Sequence, residues 1–346
     1  MERMDNGLPF MLRYENVAWY EDGKVRILDR RVYPREVKFV ECQTYQEVVR
    51  AIKDMVTQSA GPYTAAGMAM AQACYQAANL KKEDKIAFID KAAYEIANAR
   101  PTTANRMKKV TDDSLKVAKE AIKNNEDPAN AVKNNTIDSL NRRYAITEKI
   151  GYNLCKLIPD NSKVLTQCFG ETIVGIMTKI LKQEGKNVEF YCCETRPYYQ
   201  GARLTATCIS EMGFPTTVIT DNQVAYIMDN IGIDVFTCAA DSVTCDGHVA
   251  NKIGTYQISI LCDYFGVPCY VTDVPDVDKK SKDDITIEMR DPSLMLEGRT
   301  AKKVKGIYPS FDITPPQLIT GIVTDKDTYR PEDLYTYFKG EVNKFY

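Results

Sequence analysis

Five apolar, strand-like runs of this sequence each close on a side chain that can carry a proton or a negative charge. The runs are 163–169, 188–195, 216–221, 234–241 and 268–273, and the side chains are Cys168, Glu194, Asp221, Asp241 and Asp273. If these runs lie parallel in one open sheet, a ligand binds outside their carboxyl ends, where the thiol and four carboxylates gather. That set suits proton transfer. Each residue also has a plainer reading. An aspartate after a strand often caps the next helix, and a cysteine in a strand usually packs a core. Cys168 stands apart because Phe-Gly-Glu-Thr and a helix start follow it. A helix N-terminus lowers a thiol's pKa and favours a thiolate or a proton-transfer role.

Cations for an anionic substrate are few and local. Arg100 lies in NARPTTAN, Arg196 and Arg203 in ETRPYYQGARL, and Lys252 in GHVANKIGTY. A solvated or salt-bridging cation is the alternative for each. Asn251 and Lys252 are more pointed, because they open an otherwise apolar helix predicted over 249–265. Backbone amides at a helix start, together with a lysine, suit a phosphate.

The elements that must hold these residues change character near residue 150. The first part, 1–150, opens with strand-like NVAWY and KVRILD around Glu21-Asp22-Gly23, a meander. Thr44 to Glu47 fits a capping box, and Val48, Val49, Ile52, Met55 and Val56 follow on one helical face. Ile86, Ile89, Ala93 and Ile96 mark a second helix, Leu115, Ala118 and Ile122 a third, and 134–158 a longer one. In the second part, 151–346, helical runs at 171–184, 201–212, 223–231 and 249–265 alternate with the five strands. Strand and helix in alternation predict an α/β domain with a parallel, doubly wound, Rossmann-like sheet, behind a smaller N-terminal α+β domain. The first strand–helix turn reads QCFGETIVG rather than GxGxxG, which argues against a dinucleotide; no cofactor is expected.

Composition narrows the classes further. Hydrophobic residues make up 44% of the chain and charged residues 27%, as in an ordinary globular protein. The formal net charge of −2 gives no basic field for nucleic acid or for an anionic membrane. No apolar run approaches the roughly 18 to 20 residues of a membrane span, and the charged N-terminus has no signal-peptide core. The 11 cysteines are scattered without a CxxC pair, as in a reduced, cytoplasmic protein. With 1 histidine, a His-rich metal site is excluded, and no metal is expected.

Three long segments carry a resemblance: ETRPYYQGARLTA, DGHVANKIGTYQISIL and YPSFDITPPQLITGIVTD. They are similar to the methylthioribose-1-phosphate isomerases, and the likeness runs nearly end to end. That superfamily also holds the ribose-1,5-bisphosphate isomerases and the regulatory alpha, beta and delta subunits of the guanine-nucleotide exchange factor of eukaryotic translation initiation. The resemblance implies a homodimer, a sugar-phosphate substrate and a place in methionine salvage. It implies Cys168 and Asp241 as the catalytic pair, with Arg100, Gln200, Asn251 and Lys252 binding substrate. The implied reaction turns an aldose-1-phosphate into a ketose-1-phosphate. An acid must protonate the ring oxygen, a role for Asp241 as a buried carboxyl of raised pKa. Hydrogen then moves from C2 to C1. Cys168 takes it as a proton if it is a thiolate, or handles hydroxyl protons while a hydride shifts directly. The sequence leaves both routes open.

The chain departs from its family at several of these places. Gln58 stands where the isomerases carry an arginine that faces substrate. Gln167 replaces the usual histidine before the cysteine, Phe169 the frequent asparagine after it, and Ser242 the common arginine after Asp241. A lost charge-assisted contact weakens phosphate binding by about 1.5 to 3 kcal/mol. With Phe169, Tyr63, Tyr198 and Tyr199, these changes fit either packing or an altered 5-substituent. The readings are the methylthio sugar, a sibling such as 5-deoxyribose-1-phosphate or ribose-1,5-bisphosphate, or a non-catalytic regulatory protein of the same fold.

Overall fold

A computed structural model describes residues 3–100 and 104–339. The chain falls into two compact units, dividing between Ala145 and Ile146.

The first unit begins with a short helix, α1 (Tyr14–Val17), and the antiparallel meander β1 (Ala18–Glu21), β2 (Lys24–Leu28) and β3 (Phe39–Cys42). Asp22 and Gly23, at φ 48° and 79°, make the two-residue turn whose twist matches that of the flanking strands. Helices follow: α2 (Tyr45–Lys53), α3 (Gly61–Gln76), α4 (Lys82–Ala97), α5 (Ala104–Lys123) and α6 (Pro128–Cys155), with the division between units falling inside α6. The Thr44 hydroxyl accepts from Glu47 N at 3.3 Å, as the capping box requires. The Glu47 carboxylate reaches back to Gln43 N at 2.6 Å rather than to the cap residue's own amide.

Three readings need correction here. The α2 helix stops at Lys53, and Met55 turns left-handed at φ 60°, so Met55 and Val56 lie beyond it. The last helix starts at Pro128, not 134, because Asp127 accepts the Ala129 amide at 2.9 Å and proline suits the first helical position. Helix α3 was not anticipated. Every residue from Gly61 to Cys74 is buried, so it carries no polar face and no period to read. Its Gln72 is satisfied inside the core, donating to Gly23 O at 3.1 Å and Cys42 O at 2.8 Å.

The second unit carries β4 (Ser162–Thr166), α7 (Glu171–Gln183), β5 (Val188–Cys193), α8 (Ala206–Glu211), β6 (Thr216–Ile219), α9 (Val224–Asn230), β7 (Val235–Ala239), β8 (Ser242–Val243), β9 (Val249–Lys252), α10 (Thr255–Phe265), β10 (Cys269–Thr272), α11 (Ser293–Leu296), β11 (Phe311–Thr314), β12 (Gly321–Val323) and β13 (Thr328–Tyr329). A 7-stranded sheet runs β13-β12-β10-β7-β4-β5-β6, parallel except for the last pairing, β12 with β13. This is the doubly wound order expected of a Rossmann-like domain, and it reverses between β4 and β7.

The predicted 249–265 helix is two elements. Val249–Lys252 is a strand, paired with β8 on one side and β11 on the other, and α10 begins only at Thr255. Gly254, at φ 104°, makes the break in a conformation that side chains rarely adopt. Asn251 and Lys252 are therefore strand residues and not the opening of a helix.

Candidate active site

Cys168 and Asp241 lie just past the carboxyl ends of β4 and β7, the two strands between which the sheet order reverses. An open α/β sheet leaves its ligand crevice at that point, because the helices on either side leave in opposite directions.

The backbone at Cys168 is held in an unusual conformation. Its φ is 59°, and its N–H donates to the Thr195 hydroxyl at 3.0 Å. Thr205 donates its hydroxyl to the Cys168 carbonyl. Thr195 is itself left-handed, at φ 62°, and fixed by Asp221, which accepts from Thr195 N and Arg196 N at 2.8 Å each. Asp221 thus braces the neighbouring loop rather than capping its own following helix. A positive φ in a non-glycine residue costs about 1 to 3 kcal/mol and is concentrated at functional sites.

Three charged or ionisable groups meet around the thiol. Burial pushes Cys168 up to about 11; Lys252 opposes that shift, while the negative charges of Asp241 and Asp221 add to it. Burial lowers the pKa of Lys252, and Cys168 and Asp241 partly restore it. The Lys252 ammonium sits 4.4 Å from the centre of the Phe311 ring, a cation–π contact across the β9–β11 pair. Asp241 was expected to be a buried carboxyl, but it is exposed. It lies two residues past the end of β7. Cys168 keeps partial exposure too, so a ligand can reach both.

A polar belt ties β9 and α10 to the end of β4. The Gln167 amide donates to Ile253 O at 2.8 Å and accepts from the Thr255 hydroxyl at 2.7 Å. Asn251 donates to that same hydroxyl at 3.0 Å. The amides that open α10 are already taken: Asp312 accepts from Gly254 N at 2.7 Å and Tyr256 N at 3.2 Å. Burial raises Asp312 to about 6, against the pull of those amides. The helix start therefore serves an internal carboxylate rather than an external anion.

Gln200 precedes a wide π-helical turn, Gly201–Thr205, that leads into α8. It is buried, and its Oε1 has no partner among the described residues. Its neighbour Gly201 lies so close to the Cys193 carbonyl that an added Cβ would sit 1.7 Å from the oxygen. Only glycine lets the turn seat against β5 in this way.

Gln58 and Arg100 belong to the first unit. Gln58 is buried in the loop before α3, its Nε2 donating to Met55 O at 3.3 Å and its Oε1 without a partner among the described residues. Its carbonyl accepts from the fully buried Arg30 at 2.7 Å. Arg100 is half-buried beyond the end of α4, and the Pro101-Thr102-Thr103 part of its motif lies outside the described residues. The second unit thus brings together Cys168, Asp241 and Lys252, with Asn251 next to Lys252 on β9 and Gln200 at the turn before α8. The supporting Thr195, Thr205, Thr255 and Asp312 gave no sequence signal beyond lying near the motifs. Among the described residues, no group of three or more histidine, cysteine, aspartate or glutamate side chains is placed to hold a metal ion, and no helix is long and apolar enough to cross a membrane.

A model of the Initiation factor 2 subunit family matches residues 58–331. The chain belongs to this family. Within the family it is similar to methylthioribose-1-phosphate isomerase 1 of Pseudothermotoga lettingae, 36% identical over 91% of this chain and 95% of the relative. It is similar also to the 5-deoxyribose 1-phosphate isomerase of Clostridium botulinum, 32% identical over 95% of this chain and 98% of the relative. Among solved structures of the family fold, the 5-methylthioribose 1-phosphate isomerase of Pyrococcus horikoshii superposes with a TM-score of 0.82 at 28% identity, covering 95% of this chain and 98% of that one.

Proposed function

We propose that this chain is an aldose–ketose isomerase acting on 5-methylthioribose-1-phosphate and producing 5-methylthioribulose-1-phosphate in methionine salvage. The observation that carries the reading is the meeting of Cys168, Asp241 and Lys252 at the reversal point of the sheet. Relatives named for this reaction, at 33–36% identity over nine-tenths or more of the chain, support it. The 5-deoxyribose 1-phosphate isomerase relatives favour a sibling substrate as the second reading. The reaction needs no external redox partner, because C2 is oxidised as C1 is reduced. The protein works in the cytoplasm as a homodimer.

The proposed roles rest on the family resemblance and on the groups gathered around Cys168. Lys252 holds the phosphate on C1, while Asn251 and Gln200 bind the sugar; the family resemblance adds Arg100, and Gln58 in place of the family's arginine, as substrate ligands. Asp241 gives a proton to the ring oxygen as the C1–O bond opens. Bound substrate covers this exposed carboxyl, and the removal of water favours its protonated form. Hydrogen then passes from C2 to C1 while the C2 hydroxyl loses its proton. With its pKa near 11, roughly one Cys168 in ten thousand is a thiolate at pH 7. That favours the direct shift of hydride between the carbons, with the Cys168 thiol relaying hydroxyl protons.

The test is incubation with methylthioribose-1-phosphate, 5-deoxyribose-1-phosphate and ribose-1,5-bisphosphate, following the new ketone by carbon-13 NMR. Ketose should form from at least the first, and Cys168→Ser and Asp241→Asn should each lose it by at least about a thousandfold while melting like the parent, the scale expected for a lost acid–base group. Absence of ketose from all three sugars would move the protein to the non-catalytic branch of its family.

A further inference from the structure

Residues 288–310 fold back on themselves and deliver an aromatic hydroxyl to the site. Arg290 N donates to Tyr308 O at 2.8 Å and Ser310 N to Glu288 O at 2.8 Å, so the two ends run side by side. The second end continues directly into β11, whose Phe311 lies opposite Lys252. Tyr308 is only 3% exposed. Its ring packs on Tyr198 at 6.3 Å between centroids, two residues from Gln200. The Arg290 guanidinium lies 5.9 Å from the centre of that same Tyr198 ring and pairs with Glu288 at 2.8 Å.

One atom in this arrangement is unaccounted for. Tyr308 Oη is buried beside the Arg290 guanidinium, which can only donate to it, and no described residue accepts the phenol's own proton. A buried donor without an acceptor is costly, and native structures rarely keep one without a reason. Gln200 Oε1, two residues along the chain from Tyr198, likewise has no partner among the described residues. A buried phenol proton without an acceptor suits a ligand that offers a hydroxyl oxygen, as a polyol does.

Resting on the isomerase reading above, we infer that Tyr308 is a substrate-contacting, specificity-determining residue, its hydroxyl donating to an oxygen of the sugar held beside Cys168. The phenol is a donor and not a base: burial pushes it up to about 12, Arg290 opposes that shift, and the proximity of Cys168 adds to it. The excursion that leaves β10 and returns at β11 therefore brings a recognition group as well as a strand.

Tyr308→Phe tests the inference, because the ring and its packing on Tyr198 remain. Melting temperature and steady-state kinetics are measured on the full chain with methylthioribose-1-phosphate. KM should rise about tenfold, equivalent to about 1.4 kcal/mol, with kcat changed less than twofold and the melting temperature of the free protein unchanged or higher. A hydroxyl with a purely structural role would instead lower the melting temperature and leave KM alone. Equal KM in the parent and the variant would overturn the inference while leaving the isomerase reading intact. A parent protein with no turnover of any pentose phosphate would overturn both.

Discussion

If the Cys168 thiol keeps its proton during catalysis, the rate should ignore the pH range in which a thiolate would gain most. The perturbation is pH itself, from 7 to 9, with saturating methylthioribose-1-phosphate. With a thiol pKa near 11, the thiolate fraction grows about tenfold per pH unit over this range. A mechanism that needs the thiolate to pull a proton from C2 would therefore quicken about a hundredfold. One in which hydride shifts and the thiol relays hydroxyl protons should stay level within about twofold. The charged groups bearing on the thiol are Lys252, Asp241 and Asp221. Lys252 has a lowered pKa and sheds its charge first as pH climbs, which would weaken phosphate binding; following kcat at saturation keeps that effect out of the comparison. Substrate deuterated at C2 supplies the second readout, since a direct shift carries the label to C1 and a proton route loses it to water. A unit slope in log kcat together with label loss would refute the reasoning.

Other perturbations bear on the frame around the site. Gln58→Arg should tighten methylthioribose-1-phosphate binding about ten- to a hundredfold, the worth of one charge-assisted contact, as read by titration calorimetry; unchanged affinity would put residue 58 outside the pocket. Gly201→Ala should cost about 3 kcal/mol in urea unfolding and lower turnover by displacing Gln200, because the new methyl meets the Cys193 carbonyl. A variant as stable as its parent would mean that the turn relaxes freely.

The second unit was legible because its strands and helices alternate in period, and because turn chemistry bounds them. The five strand-ending residues lie one or two positions past the ends of five parallel strands, as the pattern implied. The break at Gly254 was hidden by composition: Val249 to Phe265 is apolar enough to read as one helix, and only the left-handed glycine separates strand from helix. Helix α3 was hidden by burial on every side, which erases the polar stripe that periodicity depends on. Cys168 and Asp241 were visible as strand ends, and the structure adds that they flank the point where strand order reverses. The exposure of Asp241 was not readable, since it depends on which side chains fold over the strand end. Tyr308 and Arg290 could not be found from local pattern, because only the folding back of residues 288–310 brings them side by side and against Tyr198.

The strand bearing Lys252 has a delayed partner. Its pairing with β8 is local, but Phe311–Thr314 reaches the ribosome exit roughly 60 residues later, several seconds at ordinary synthesis rates. Through that interval the backbone amides and carbonyls of 249–252 form an open edge, the kind of template on which strands of neighbouring nascent chains pair wrongly. A chain cut short anywhere before Phe311 keeps that edge for good. Premature termination before Phe311 therefore yields a product prone to aggregate rather than one that is merely inactive.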